Sequence, residues 1–283
     1  MRAVSRTLTL RLGERTYDLS TSSLVMGILN RTPDSFYDHG ATFELDDLVA
    51  RAEKLAGEGA DVLDVGGVKA GPGPEVSEAE EIDRVVPAVE AVRSKVGLPV
   101  SVDTWRASVA REAYAAGAVM GNDISGFSDP AYLPAALEAG AAVVATHIRL
   151  APRVPDPDPH YDDVVAEVRS FLADRAGRAR AAGIEADRIV VDAGFDLGKT
   201  ARQSLELLRA SGSLAELGYP LLLSASNKSF LGELFDLGIE EREDASLAAA
   251  AVGIALGCRI VRVHDVVGAR RVCDAIEAVL RAA

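Results

Sequence analysis

Eight apolar runs, each closing on a polar or charged side chain, constrain this chain more than any other feature. The first four are LVMGILN to Asn30, ADVLDVGG through Asp64, LPVSVDT to Asp103 and AGAVMGND through Asn122. The last four are GAAVVATH to His147, RIVVDAG through Asp192, YPLLLSASNK to Lys228, and GCRIVRVHD through Arg262 and His264. A strand buried on both faces reads as a near-continuous apolar run. Eight of them with helical stretches between predict an α/β chain folded as a (β/α)8 TIM barrel, whose active site gathers at the carboxyl ends of the strands. One polar residue at a strand end needs no chemical purpose. Eight converging on one rim predict a site.

The intervening segments have helical period, as in residues 45–60 (LDDLVARAEKLAGEGA) and 80–97 (EEIDRVVPAVEAVRSKVG). Asp129-Pro130 predicts a helix start, a cap residue followed by proline at the first helical position. Gly59, Gly117, Gly140 and Gly183 fall where helices should stop before the next strand, as left-handed caps. Ahead of the first run, residues 7–18 alternate apolar and polar around Gly13-Glu14, which predicts a β-hairpin on the barrel floor. A chain of 283 residues fits one such barrel, so a single domain over 1–283 is expected, with 1–20 as the hairpin cap.

Charge and composition exclude some partners. A net charge of −13 argues against a nucleic-acid backbone and for a small ligand bound by local charge. No run is long enough to span a membrane, and MRAVSRT lacks the apolar stretch of a secretory signal. The cytoplasm is the expected compartment. Cys258 and Cys273 lack CxxC spacing and read as buried thiols.

Three segments rich in turn-forming residues leave the rim: RTPDSFYDHGATF (31–43), VKAGPGPEVS (68–77) and HIRLAPRVPDPDPHY (147–161). Long loops in a compact domain are either disordered or functional. The strand ends themselves suggest a ligand. Asp103, Asp192 and Asn122 offer acceptors and a donor suited to a flat, nitrogen-rich heterocycle, and Lys228 adds a donor. Arg262 and His264, two apart on one strand, share a side and suit a phosphate. Asn30, with Asp34 and Asp38 nearby, supplies oxygen ligands of the kind Mg²⁺ accepts beside substrate phosphate. Blander roles compete at other positions: Asp64 as a loop hydrogen-bonding group beside Gly66-Gly67, His147 as a half-buried histidine, Ser224 to Ser226 as a helix cap, Lys199 as a solvated helix-start lysine.

The segments MGILNRTPDSFYDHG, DVGGVKAGPG, SVDT, GNDISG, DAGFDLGK, SNKSF and RVHDV resemble, in order, the motifs of the dihydropteroate synthase family. The resemblance runs from about Leu24 to the final helix. It implies a folate-biosynthetic barrel enzyme that joins 6-hydroxymethyl-7,8-dihydropterin pyrophosphate to p-aminobenzoate and releases pyrophosphate, with Mg²⁺. On that basis the pterin is expected at Asp103, Asn122, Asp192 and Lys228. Pyrophosphate is expected at Asn30, Arg262 and His264, with Mg²⁺ near Asn30. Asp38 is expected to stabilise the pterin methylene cation, and a homodimer is expected through the last helices, where DASLAAAAVGIALG (244–257) is rich in small residues. Two alternatives remain open at this level: a weak or inactive homologue that binds a pterin or another phosphorylated ligand, and a methyltetrahydrofolate-binding barrel that serves a corrinoid protein. Arg262 and His264 speak against the latter, since a methyl-transfer pterin has no pyrophosphate to hold.

The chain departs from the family pattern at identifiable places. Where the second loop normally reads Gly-Gly-Glu-Ser-Thr-Arg-Pro-Gly, it has Gly66-Gly67-Val68-Lys69-Ala70-Gly71-Pro72-Gly73. The Thr and Arg that the family sets around p-aminobenzoate are thus Ala70 and Gly71. The Ser-Arg-Lys motif is Ser226-Asn227-Lys228, Met-His-Met-Gln-Gly has become Thr146-His147-Ile148-Arg149-Leu150, and Ala193 and Asp196 replace a Pro and a Gly. Arg31 stands where a small apolar residue is usual. Lys69, Arg31 and Arg149 are new cations expected near the rim. In these segments the chain is similar to the divergent second copies of actinobacteria, regarded as weak or inactive.

Overall fold

A computed structural model describes residues 7–31 and 44–282. Strands β1 (Thr9–Leu12) and β2 (Arg15–Asp18) form the antiparallel hairpin, with Leu10 opposite Tyr17. The barrel strands are β3 (Leu24–Asn30), β4 (Val62–Gly66), β5 (Val100–Asp103), β6 (Met120–Asp123), β7 (Ala142–Thr146), β8 (Ile189–Asp192), β9 (Leu221–Leu223) and β10 (Cys258–Val263). All neighbours pair in parallel, and β10 closes the barrel on β3. The outer ring contains α1 (Leu45–Gly57), α2 (Glu78–Val96), α3 (Ala107–Ala116), α4 (Tyr132–Ala139), α5 (Val164–Ala181), α6 (Ala201–Arg209), α7 (Ser211–Ala215), α8 (Ser229–Phe235), α9 (Glu243–Ala255) and α10 (Val266–Arg281). Among the described residues no helix is long and apolar enough to cross a membrane.

Period-two alternation sorts each strand into an outward face under the helices and an inward face. Leu24, Met26, Val62, Met120, Ala142, Val144, Val190, Leu222 and Ile260 face inward near the floor, where Leu10, Leu12 and Leu19 from the hairpin segment plug the barrel. Two residues further up, the same faces deliver Asp64 after Val62, Asn122 after Met120, Asp192 after Val190, and Arg262 after Ile260. The hairpin thus removes water from one end and leaves the other to polar groups. The helices bury matching stripes: Leu48, Ala52 and Leu55 on α1, and Val85, Val89 and Val92 on α2.

The four glycines expected as helix stops all adopt positive φ. Three expectations need correction. Helix α4 begins at Tyr132 rather than at Pro130; Asp129 instead caps a preceding turn, its carboxylate accepting from Ala131 N and its carbonyl from Tyr132 N. Strand β9 ends at Leu223, so Lys228 is not on a strand. The chain turns through Asn227, at φ 58°, and Lys228 becomes the residue before α8. Ser224 to Ser226 do not cap that helix; Ser226 Oγ instead meets His264. Both cysteines are buried and unpaired, as expected, and burial pushes each thiol up to about 12.

Candidate active site

Strand register sets the core of the rim. Asn30 is paired with Gly66, Gly66 with Asp103, and Asp103 with Asn122, so four neighbouring strands present one continuous row. Gly66 keeps the row open: a Cβ there would lie 3.3 Å from Asn30 Oδ1 and 3.5 Å from Asp103 Cβ. Across the barrel, Thr146 of β7 pairs with Asp192 of β8.

Inside this ring the charges are cross-linked. Arg262 Nε donates to Asp64 Oδ2 at 2.6 Å, and its Nη2 donates to Asp103 Oδ2 at 2.7 Å. Asn122 Nδ2 donates to the same Asp64 oxygen at 3.1 Å. Asp64 is 0% exposed, and its partners are Arg262 and Asn122, each two strands away on either side, not the loop beside Gly67 as expected. Burial, with a smaller push from Asp64, raises the Asp103 carboxyl to about 7 despite the opposing Arg262. Burial also raises Asp192, which accepts from Gly194 N at 2.8 Å.

Above the ring lies a cavity of about 530 Å³ whose walls include Asn30, Asp103, Lys228, Arg262 and His264. Asn122 and Asp192, 4% and 5% exposed, do not line it. The pterin residues expected from the sequence are thus brought together on one rim, with Arg262 bridging two carboxylates at their centre. Ser226 Oγ, 2.9 Å from His264 Nδ1, fixes that imidazole at the cavity edge, while Arg51 Nη2 donates to the His264 carbonyl. Asp34 and Asp38 lie outside the described residues.

The cavity's other walls come from loops. Lys69, Ala70 and Gly71 line it, and a side chain on Gly71 would begin in open space. The second loop is pinned at its base by Arg106, which donates to Val76 O at 2.8 Å and to the buried Glu81 at 2.6 Å. Its tip is held by the third loop: Arg153 donates from its backbone N to Ala70 O at 3.1 Å and from Nη2 to Pro74 O at 2.5 Å.

Two of the new cations are tied to groups outside the cavity lining. Arg149 forms a bidentate pair with Asp156, both contacts at 2.5 Å. Arg31 Nη1 donates to the carbonyls of Asp83 and Arg84 at 3.2 and 2.9 Å on α2. The reason lies four residues beyond Asp83: Pro87, inside α2, has no N–H to give that carbonyl. The arginine replaces the missing helical donor.

Lys199 is not solvated. It is 7% exposed, and its ammonium faces His147 Nδ1 at 2.9 Å, Gly194 O at 2.8 Å and Leu197 O at 3.1 Å. The His147 carbonyl is a fourth, longer acceptor at 3.4 Å, so all three N–H donors are satisfied. Burial still lowers the lysine to about 7, and burial next to that cation lowers His147 to about 3, so the imidazole is neutral and accepts. The pair clamps the turn after β8 onto the end of β7. Gly194, at φ 66°, makes this approach possible, since a Cβ would stand 1.9 Å from His147 O.

Known proteins share this architecture. A family model described as pterin binding enzyme matches residues 26–264. Inactive dihydropteroate synthase 2 of Mycobacterium leprae is 46% identical over 266 residues, covering 90% of each chain. The Yersinia pestis dihydropteroate synthase, solved in a sulfonamide drug complex, superposes with a TM-score of 0.93 at 37% identity over 98% of this chain and 100% of that one. The dihydropteroate synthase of Xanthomonas albilineans in complex with 7,8-dihydropteroate gives 0.85 at 39% identity, over 96% and 98%. Fold, rim and relatives agree: the chain belongs to the pterin-binding enzyme family, the family of the dihydropteroate synthases.

Proposed function

We propose that this chain binds 6-hydroxymethyl-7,8-dihydropterin pyrophosphate and condenses it with p-aminobenzoate or a related aryl amine, releasing pyrophosphate. The observation that carries this reading is the strand-borne row of Asn30, Asp103 and Asn122, with Asp192, Arg262 and His264 on the same rim. The buried carboxylates suit the N–H edge of a pterin, and Arg262 and His264 suit the departing anion. In the reaction the methylene C–O bond breaks and pyrophosphate leaves with the electron pair. The amine nitrogen then bonds the methylene and loses a proton. A dissociative departure builds positive charge on carbon and negative charge on the leaving group. Groups that meet those charges stabilise the transition state more than the ground state. Asp38 is assigned the cation, and the loops exclude the water that would capture it.

Mg²⁺ would fit such a site beside the substrate pyrophosphate, with Asn30 as a protein ligand; Asp34 and Asp38, the other oxygen ligands expected, lie outside the described residues. Among the described residues no group of three His, Cys, Asp or Glu side chains could hold a metal, whereas Mg²⁺ accepts few protein ligands beside phosphate. Asn30 would hold it together with the pyrophosphate, where its charge would favour departure.

The second reading, a weak or inactive homologue, is favoured by the Ala70–Gly71 wall and by the similarity to the M. leprae protein. Incubation with pterin pyrophosphate, labelled p-aminobenzoate and Mg²⁺ decides between them. Pteroate formation supports synthesis, and pterin binding by calorimetry without product supports the second reading.

The proposed assembly is a cytoplasmic homodimer. Ala249, Ala250 and Gly253 of α9 face the protein interior, so the small residues serve close packing within the chain. The other side exposes Val252 next to Leu234 and Phe235 of α8, 46%, 46% and 57% exposed, around an apolar groove. Light scattering should give twice the 29.7 kDa chain mass.

A further inference from the structure

Asp196 stands where the family pattern has glycine, and it keeps a glycine-like backbone, φ 64°. Its side chain is one wall of the cavity. One carboxylate oxygen accepts from Ser229 N at 2.5 Å and Ser229 Oγ at 2.8 Å; the other accepts from Phe230 N at 3.3 Å. The carboxylate is held there from both sides. Phe195 stacks on Phe230 with ring centroids 5.7 Å apart, and Lys199 ties down the carbonyls of Gly194 and Leu197.

Asp196 and Ser229 line the loop-built half of the cavity with Ala70 and Gly71, above the strand-borne row, the side left for a second substrate once a pterin occupies that row; Phe230 N lies behind it. An acceptor bearing an acid group would find the Ser229 and Phe230 donors already satisfied by a fixed negative charge. We propose that Asp196 is a specificity-determining residue for the second substrate: its carboxylate takes the donors of Ser229 and Phe230 and turns the site towards neutral aryl amines and against those that carry an acid group. This rests on the pterin-condensing reading and narrows it. Lys69 and Arg242 also line the cavity, but Arg242 is committed to backbone carbonyls, Nη1 to Asn227 O and Nε to Leu237 O.

The test is calorimetric binding of 4-aminobenzoate and its neutral isostere 4-aminobenzamide, with pterin pyrophosphate titrated separately, to wild type, Asp196→Gly and Asp196→Asn. Glycine suits the positive φ, so that variant should fold; asparagine tolerates the same φ and keeps an acceptor while removing the charge. The wild type should bind the amide at least about tenfold more tightly than the acid, a preference of about 1.4 kcal/mol. Both variants should bind the acid at least about tenfold more tightly than wild type does, with the amide changed less than about threefold. Wild type favouring the acid, or acid affinity unchanged in both variants, would overturn the proposal. Failure of all three proteins to bind either amine, with pterin pyrophosphate still bound, would overturn it alone. Loss of pterin pyrophosphate binding as well would remove the condensation reading beneath it.

Discussion

The floor of the cavity and its loop-built walls are held by different forces. At and just beneath the floor, Asn30, Asp103, Asn122 and Asp192 are fixed by strand register, and Asp64 and Arg262 cross-link Asn122 and Asp103. In the walls, Ala70, Asp196 and Asn227 are held by a few hydrogen bonds from outside the barrel strands: Arg153 N donates to Ala70 O, Ser229 and Phe230 donate to the Asp196 carboxylate, and Asn227 is held by the Arg242 guanidinium and the Ser246 hydroxyl. A register contact cannot be exchanged without moving a strand, whereas a side-chain tie can be replaced one residue at a time. Four of the departures from the family pattern, Ala70, Gly71, Asp196 and Asn227, fall on the walls, while Thr146 and Ala193 sit at strand ends beside Asp192; the residues expected for a pterin are kept.

The largest test of this contrast is Asp64→Asn. It leaves Arg262 short of one buried countercharge and should lower unfolding free energy by about 3 kcal/mol. Arg149→Ala, which breaks a more exposed pair within the third loop, should stay near or below about 1 kcal/mol. Equal losses in urea titrations would erase the distinction. Next in size, Asp192→Asn should weaken pterin pyrophosphate by about ten- to a hundredfold, since a hydrogen bond to a charged group contributes about 1.5–3 kcal/mol. Calorimetry showing unchanged affinity would take Asp192 out of the floor's binding role.

A smaller effect follows from pH. Asp103 accepts from ring N–H groups most strongly when ionised, and its carboxyl is raised to about 7. Protonation below that value removes the charge and turns one acceptor oxygen into a donor, so pterin affinity should fall as pH falls through about 7, by at most about tenfold per unit. A flat profile from mildly basic to mildly acidic pH would show that the Arg262 pair keeps Asp103 charged throughout. The smallest effect belongs to Arg31→Ala. Loss of its bonds to the α2 carbonyls should lower stability by about 1 kcal/mol and leave 4-aminobenzamide binding unchanged. A change in amine affinity would return Arg31 to the site.

Most of the floor was legible in the sequence because its two signals are local. An apolar run marks a strand, and the period of two carries a polar residue such as Asn122 or Asp192 to the inward face. Contacts across the barrel leave no such mark: Asp64 and Arg262 are 198 residues apart, and nothing near either names the other. Lys199 was misjudged because a lysine opening a helix is ordinarily exposed, and only the closeness of β7 to the turn after β8 buries it. Lys228 was assigned to a strand because the run YPLLLSAS hides a turn that Asn227 makes in the left-handed region. Asp38 stays an expectation from the resemblance, outside the described residues.

The Arg31 bond to α2 also ties two distant positions together energetically. Proline at position 87 strands the carbonyl of Asp83, and arginine at position 31 supplies the donor that the helix has lost. The two positions are therefore expected to be thermodynamically coupled: Arg31→Ala should cost more with Pro87 in place than in a Pro87→Ala background, where the helix supplies its own donor.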